Sequence, residues 1–142
     1  MRVFLAESVE QLARFHDLVA EYEASLPLDL RHDGLEPGMT AFVAEIDGEP
    51  CGCVALAESD ASTGEVKRLF VKPEFRGYGA ARALLAALLE RSRERGYARI
   101  VLDTHRERLA AAYTLYRSLG FAECEPCGGA SYACPTFMEL RL

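Results

Sequence analysis

One stretch of the chain narrows the choice of folds more than any other: Glu65-Val66-Lys67-Arg68-Leu69-Phe70-Val71-Lys72-Pro73-Glu74-Phe75-Arg76-Gly77-Tyr78-Gly79-Ala80-Ala81. Glu65–Val71 is rich in β-branched and aromatic residues and reads as a strand, and Pro73 ends it because proline cannot donate to a ladder. From Ala80 to Arg95 the pattern turns helical. Ala81, Leu84, Leu85 and Leu88 share an inner face, Arg82, Glu90, Arg93 and Glu94 lie outward, and Gly96 is a C-terminal stop. A strand therefore becomes a long helix through a turn containing Gly77 and Gly79. The first backbone N–H groups of a helix lack internal acceptors and carry the positive end of its dipole. Such an end binds phosphate oxygens where the backbone can come close, and glycine allows that approach. Arg76 adds a forked cation, and Ala80 and Ala81 keep the next positions small.

Three anion-binding patterns compete for this turn. A P-loop requires Gly-Lys-Ser/Thr, which is missing. A dinucleotide fingerprint requires glycine or alanine where Arg82 stands, and it follows the first strand of a parallel sheet rather than the middle of a chain. The third pattern, Arg/Gln-x-x-Gly-x-Gly/Ala, is satisfied by Arg76, Gly79 and Ala81.

Around this segment strands and helices alternate. Arg2–Ala6 reads as a strand. Ser8 and Gln11 form a capping-box pattern that opens a helix with a stripe of Leu12, Phe15, Val19, Tyr22 and Leu26. Pro27 closes it, and Leu28–Gly38 reads as a loop or short helix. Thr40–Ile46 and Gly52–Ala57 flank Asp47-Gly48, a hairpin signal. Ala98–Asp103 is a strand, and Thr104 with Glu107 suggests a second capping box opening a helix that ends at Gly120. Phe121–Cys124 and Thr136–Leu142 read as closing strands. The expectation is one mixed α/β (α+β) domain over residues 1–142. It would have about six or seven mostly antiparallel strands, a central parallel pair and about three or four helices.

Composition bounds the partners. With 22 acidic against 16 basic residues the net charge is −6, which argues against a nucleic-acid binder, although a local basic spot is compatible with it. No apolar run approaches the roughly 18–20 residues that span a bilayer, and the first seven residues do not read as a signal peptide. A cytoplasmic protein with no membrane partner is expected. The five cysteines are then expected to be reduced. Cys51-x-Cys53 and Cys124-x-x-Cys127 have the residue types for a four-thiolate zinc site. Cys51 and Cys53, two apart on a strand, would share one face, which suits burial equally; structural thiols and no metal are expected.

The turn resembles the coenzyme A site of the GNAT (Gcn5-related N-acetyltransferase) superfamily. Ala112-Tyr113-Thr114-Leu115-Tyr116-Arg117-Ser118-Leu119-Gly120-Phe121 is similar to the family's Ala-x-x-Leu-Tyr-x-x-x-Gly-Phe helix end. The resemblance covers nearly the whole chain in element order. It implies a single GNAT-like domain that takes acetyl-CoA as co-substrate, passes acetyl to a primary amine of a small molecule or peptide, and allows a homodimer. It also implies that Leu69, Phe70 and Val71 offer backbone groups to the pantetheine arm, and that the amides of Arg76, Gly77, Tyr78, Gly79, Ala80 and Ala81 hold the diphosphate. Tyr116 becomes the candidate general acid, with core packing as the competing role and Tyr113 as its confusable neighbour. Glu65 becomes the candidate base, with a solvated strand-end carboxylate as the competing role.

How much a base matters depends on the acceptor: at pH 7 freeing a lysine-like amine costs about 4.6 kcal/mol, an α-amine about 1.4. The family's asparagine near the start of this helix is replaced by Arg106-Glu107-Arg108-Leu109, leaving Arg108 or His105 to take its place. Tyr22, Asp29 and Tyr132 are candidate acceptor-lining residues. A non-catalytic coenzyme A sensor or scaffold is the alternative reading.

Overall fold

The computed structural model describes residues 1–26, 38–125 and 135–142. Seven strands form one sheet in the order β1-β2-β3-β4-β5-β7-β6: β1 Arg2–Leu5, β2 Thr40–Ile46, β3 Glu49–Asp60, β4 Thr63–Val71, β5 Arg99–Thr104, β6 Ala122–Glu123 and β7 Thr136–Arg141. Three α-helices accompany them among the described residues: α1 Val9–Ser25, α2 Ala80–Glu94 and α3 Ala110–Ser118.

The local causes are legible. Ser8 Oγ accepts the Gln11 N–H at 3.1 Å and Gln11 Oε1 accepts the Ser8 N–H at 3.1 Å, so the predicted capping box opens α1. In the β2–β3 turn both Asp47 (φ 52°) and Gly48 (φ 78°) are left-handed, the conformation of a tight hairpin. The stretch expected as loop or short helix, Leu28–Gly38, lies outside the described residues except for Gly38.

The sheet separates two apolar clusters. On one face Phe15, Leu18 and Val19 of α1 cover Ala41, Val43, Cys53, Ala55 and Phe70. On the other, Leu84, Leu85 and Leu88 of α2 pack with Tyr116 of α3 over Phe42, Val54, Leu56, Val66 and Ile100. All three leucines are fully buried, and each such side chain contributes about 1.5–3 kcal/mol.

Two expectations need correction. Cys51 and Cys53 do not share a face: Cys51 lies in the α2 cluster and Cys53 in the α1 cluster. Ala44 pairs with Gly52 but Glu45 with Pro50, so Cys51 is an extra residue on β3 and the bulge reverses the alternation. The paired-thiolate geometry behind the zinc reading is therefore lost, and no group of three or more potential metal ligands occurs among the described residues.

The second correction concerns the start of α3. Thr104 is not a cap; it is buried in β5, paired with Thr136. The helix begins at Ala110 after Leu109, because His105 Nδ1 accepts the Arg108 N–H at 3.1 Å and holds the preceding residues in a turn.

Every neighbouring pair of strands is antiparallel except β4 and β5. These two run parallel over Thr63–Glu65 against Arg99–Val101 and no further. Among the described residues, β4 beyond Glu65 pairs with β3 and not with β5, while Leu102–Thr104 of β5 stay with β7. The sheet therefore parts between β4 and β5. That parting is where the cleft lies.

Candidate active site

A cleft of about 730 Å³ opens where the strands diverge, floored by Glu65–Val71 of β4 and walled by α1, the β5 end and α3. One half has the features of an anion and arm-binding site. Leu69, Phe70 and Val71 line it, on the strand edge that has no β5 partner. Pro73–Phe75 is a 3-10 turn, closed by Arg76 N–H donating to Pro73 O at 3.3 Å. The Arg76 amide is thus engaged in the turn, and its Nε donates to Val71 O at 3.2 Å. Arg76 is itself part of the cleft lining.

Gly77 (φ 88°) and Gly79 (φ 82°) are left-handed, and a Cβ built on either meets nothing within 4 Å. The corner is therefore open, and its backbone conformation favours glycine. Gly79 caps α2 without a side-chain hydrogen bond, so Ala80, Ala81 and Arg82 present first-turn N–H groups that no helical carbonyl can satisfy. Ala80 is buried and can offer only its backbone, Ala81 lines the cleft, and Tyr78 is 65% exposed to solvent. The open corner, the amides and the Arg76 guanidinium fit a diphosphate.

The other half carries the groups able to move protons. Tyr116 lines the cleft with its ring 5.7 Å from that of Phe121. Burial pushes its pKa well above the ordinary phenol range, and the nearby Tyr22 and Asp103 push it the same way. Tyr113, the neighbour one turn earlier, instead donates to Glu123 Oε2 at 2.8 Å and is absent from the cleft lining. Glu65 lines the cleft at the last β4–β5 pair, with its side chain 14% exposed and Lys67 Nζ 4.0 Å away. Asp103 and Tyr22 line the same cleft. Burial first, and the Glu23 charge second, push the Tyr22 phenol up to about 12.

The chain's own spacing separates other candidates from this place. His105 faces a second depression with Glu123 and Phe137, whereas Arg108 lines the cleft. Of the two candidates for the missing asparagine, only Arg108 is placed to contact a cleft ligand. Asp29 and Tyr132 lie outside the described residues. Lys67 and Arg68 line the cleft and were not singled out from the sequence. The available signal was two adjacent cations in the middle of a strand.

A mixed sheet that parts beside a glycine-opened helix end defines the class of acyl-CoA N-acyltransferases. Residues 6–121 match the acetyltransferase (GNAT) family, and the chain belongs to that family. It is an N-acetyltransferase-type enzyme. IAA acetyltransferase of Azospirillum brasilense is 33% identical over 125 residues, covering 87% of this chain and 80% of that protein. The crystal structure of ribosomal-protein-alanine N-acetyltransferase from Brucella melitensis matches with a TM-score of 0.76 at 23% identity, over 100% of both chains. Rv2747 from Mycobacterium tuberculosis, solved in complex with CoA, matches with a TM-score of 0.78 at 19% identity, over 100% of this chain and 99% of that one. At those identities the two structures speak for the fold alone. Among the described residues no helix is long and apolar enough to cross a membrane.

Proposed function

We propose that this enzyme, as one domain over residues 1–142, transfers acetyl from acetyl-CoA to a primary amine by direct attack in a ternary complex. The observation that carries the reading is the convergence on one cleft of the strand edge of β4, the Arg76 side chain beside the α2 N-terminus, and the phenol of Tyr116. The edge at Leu69, Phe70 and Val71 holds the pantetheine arm in the manner of an added strand. The guanidinium of Arg76 and the amides from Gly77 to Ala81 hold the diphosphate.

Bound acetyl-CoA supplies a thioester carbonyl carbon as the electrophile. The C–N bond forms as the C–S bond breaks. Glu65 takes the proton that the amine sheds, directly or through a water. Tyr116 keeps its proton at neutral pH because burial disfavours the phenolate, and it donates a hydrogen bond to the sulfur as negative charge develops there; the thiolate leaves and takes its proton from solvent, while Glu65 returns the amine's proton to solvent.

The test is release of free thiol from acetyl-CoA in the presence of a panel of amines, with the wild type and Glu65→Gln. Turnover of at least one primary amine is expected. Glu65→Gln is expected to slow an alkylamine by about 10²–10⁴-fold at pH 7 and to leave an arylamine, which needs no deprotonation, within a few-fold. Tight binding of coenzyme A without turnover of any amine would replace this reading by a non-catalytic coenzyme A module. An equal loss on both amine classes would remove Glu65 as the base.

A further inference from the structure

We propose that Tyr22 seats the acceptor: its hydroxyl oxygen accepts a hydrogen bond from an N–H of the incoming primary amine and turns the nitrogen lone pair toward the thioester carbonyl. The inference rests on the acetyl-transfer reading and names the group that orients its second substrate.

The cleft passes through the sheet. Tyr116 belongs to the apolar cluster under α2 and α3, whereas Tyr22 packs with Phe70 in the cluster under α1, on the opposite face. Both line the one cleft, and Tyr22 stands close enough to help push the Tyr116 phenol upward in pKa. The parting of β4 from β5 is what lets them approach. The groups assigned to the co-substrate, Arg76 and the amides that open α2, lie toward the Tyr116 face. An amine that meets the thioester from the other face therefore comes in past the last turns of α1, where Tyr22, Ser25 and Leu26 line the cleft.

Tyr22 is held at that entry. Its ring lies on Phe70 with centroids 5.5 Å apart and planes 34° apart, and Ser25 Oγ donates to its carbonyl at 2.6 Å. Its hydroxyl is not used in holding it. Among the described residues, the hydroxyls of Tyr22 and Tyr116 have no hydrogen-bond partner, and neither oxygen is sealed from solvent, so both open onto the cleft. A polar group fixed by its own ring and left unpaired beside a cavity calls for a partner inside that cavity.

The chemistry of a phenol fits the amine. A hydroxyl offers two lone pairs to an N–H donor. Burial keeps Tyr22 protonated up to about 12, so it presents no negative charge that would hold the amine as its unreactive ammonium. A neutral oxygen can take one N–H and leave the nitrogen lone pair to attack.

The experiment uses an amine that the wild type turns over. Thiol release is measured against both amine and acetyl-CoA concentration for the wild type, Tyr22→Phe, Tyr116→Phe and the double variant. Protection against thermal unfolding by coenzyme A reports an intact fold, which Tyr22→Phe should retain because its ring stays on Phe70. Tyr22→Phe is expected to raise the amine KM roughly tenfold and to leave the acetyl-CoA KM within about twofold. Because the two hydroxyls serve different atoms, their losses in kcat/KM should multiply in the double variant. An unchanged amine KM in Tyr22→Phe overturns the proposal, whatever happens to kcat, and leaves acetyl transfer standing. So does an equal rise in the acetyl-CoA KM, which would move Tyr22 to the co-substrate. A loss that disappears once Tyr116 is phenylalanine overturns it as well, since both phenols would then serve the sulfur. Coenzyme A protection without turnover of any amine by the wild type sinks the underlying reading, and this one with it.

Discussion

At position 116 a phenol that cannot easily ionise lines a cleft where a thiolate would have to leave. Helical spacing puts Tyr113 and Tyr116 on neighbouring positions of one stripe, so spacing cannot say which faces a ligand. The hydrogen bond from Tyr113 to Glu123 separates them. Removing the Tyr116 hydroxyl takes away one hydrogen-bond donor and leaves the ring contact with Phe121. Tyr116→Phe is therefore expected to lower turnover by about 10²–10⁴-fold while coenzyme A affinity stays within a few-fold. Steady-state turnover set beside calorimetric affinity makes the distinction. Unchanged turnover would assign Tyr116 to the core.

At the scale of elements, the site depends on how α2 begins and on how β4 leaves β5. Gly79 takes φ 82° at the N-cap of α2. Gly79→Glu adds a strained side chain and a negative charge at the place assigned to the diphosphate. Wild-type protein at a coenzyme A concentration a hundredfold above Kd should gain about 2.7 kcal/mol of stability. The variant should gain none, and ATP or NAD should protect neither; normal affinity in the variant would vacate the assigned site. The parallel junction has its own constraint. A Cβ at Gly64 would lie 2.8 Å from Leu56 Cδ1 and 2.9 Å from both Ile100 Cδ1 and Tyr97 Cδ2. Overpacking of this kind costs about 1–3 kcal/mol, so Gly64→Ala should lower the urea midpoint without changing the slope. An unaltered midpoint would show that the junction can yield.

For the whole molecule, burial of neutral acids ties stability to alkaline pH. The Tyr22 phenol is pushed up to about 12, whereas an unfolded tyrosine ionises near 10 and a cysteine near 8.5. Burial also raises the Tyr116 phenol and the Cys53 thiol. The folded state holds these protons more tightly than the unfolded one, so the stability they contribute is complete below the unfolded pKa values. It is lost as pH rises through the folded ones. Unfolding free energy should fall progressively from about pH 8.5 to about pH 12. In Tyr22→Phe the part of that fall between about 10 and 12 should shrink, as denaturant titrations at pH 9 and 11 would report. A fall as steep in the variant as in the wild type would dismiss Tyr22 as a contributor.

Local chemistry was enough to read much of this protein from its residues. Ser8 and Gln11 cap, Asp47 and Gly48 turn, and Gly77 and Gly79 open a helix end because each acts through its own backbone or a neighbour three residues away. Tertiary contacts decided the rest. The bulge at Cys51 arises from pairing with a strand earlier in the chain, so alternation along β3 misplaced the thiol. The α3 start moved because Thr104 was taken up by pairing with Thr136. Arg68 looked like one of two adjacent cations on a strand until β3 forced a bulge beneath it and α1 brought Glu23 and Tyr22 alongside. Side chains distant in sequence meet only when strands choose their partners, and a parting between β4 and β5 is a property of that pairing, which no residue carries alone.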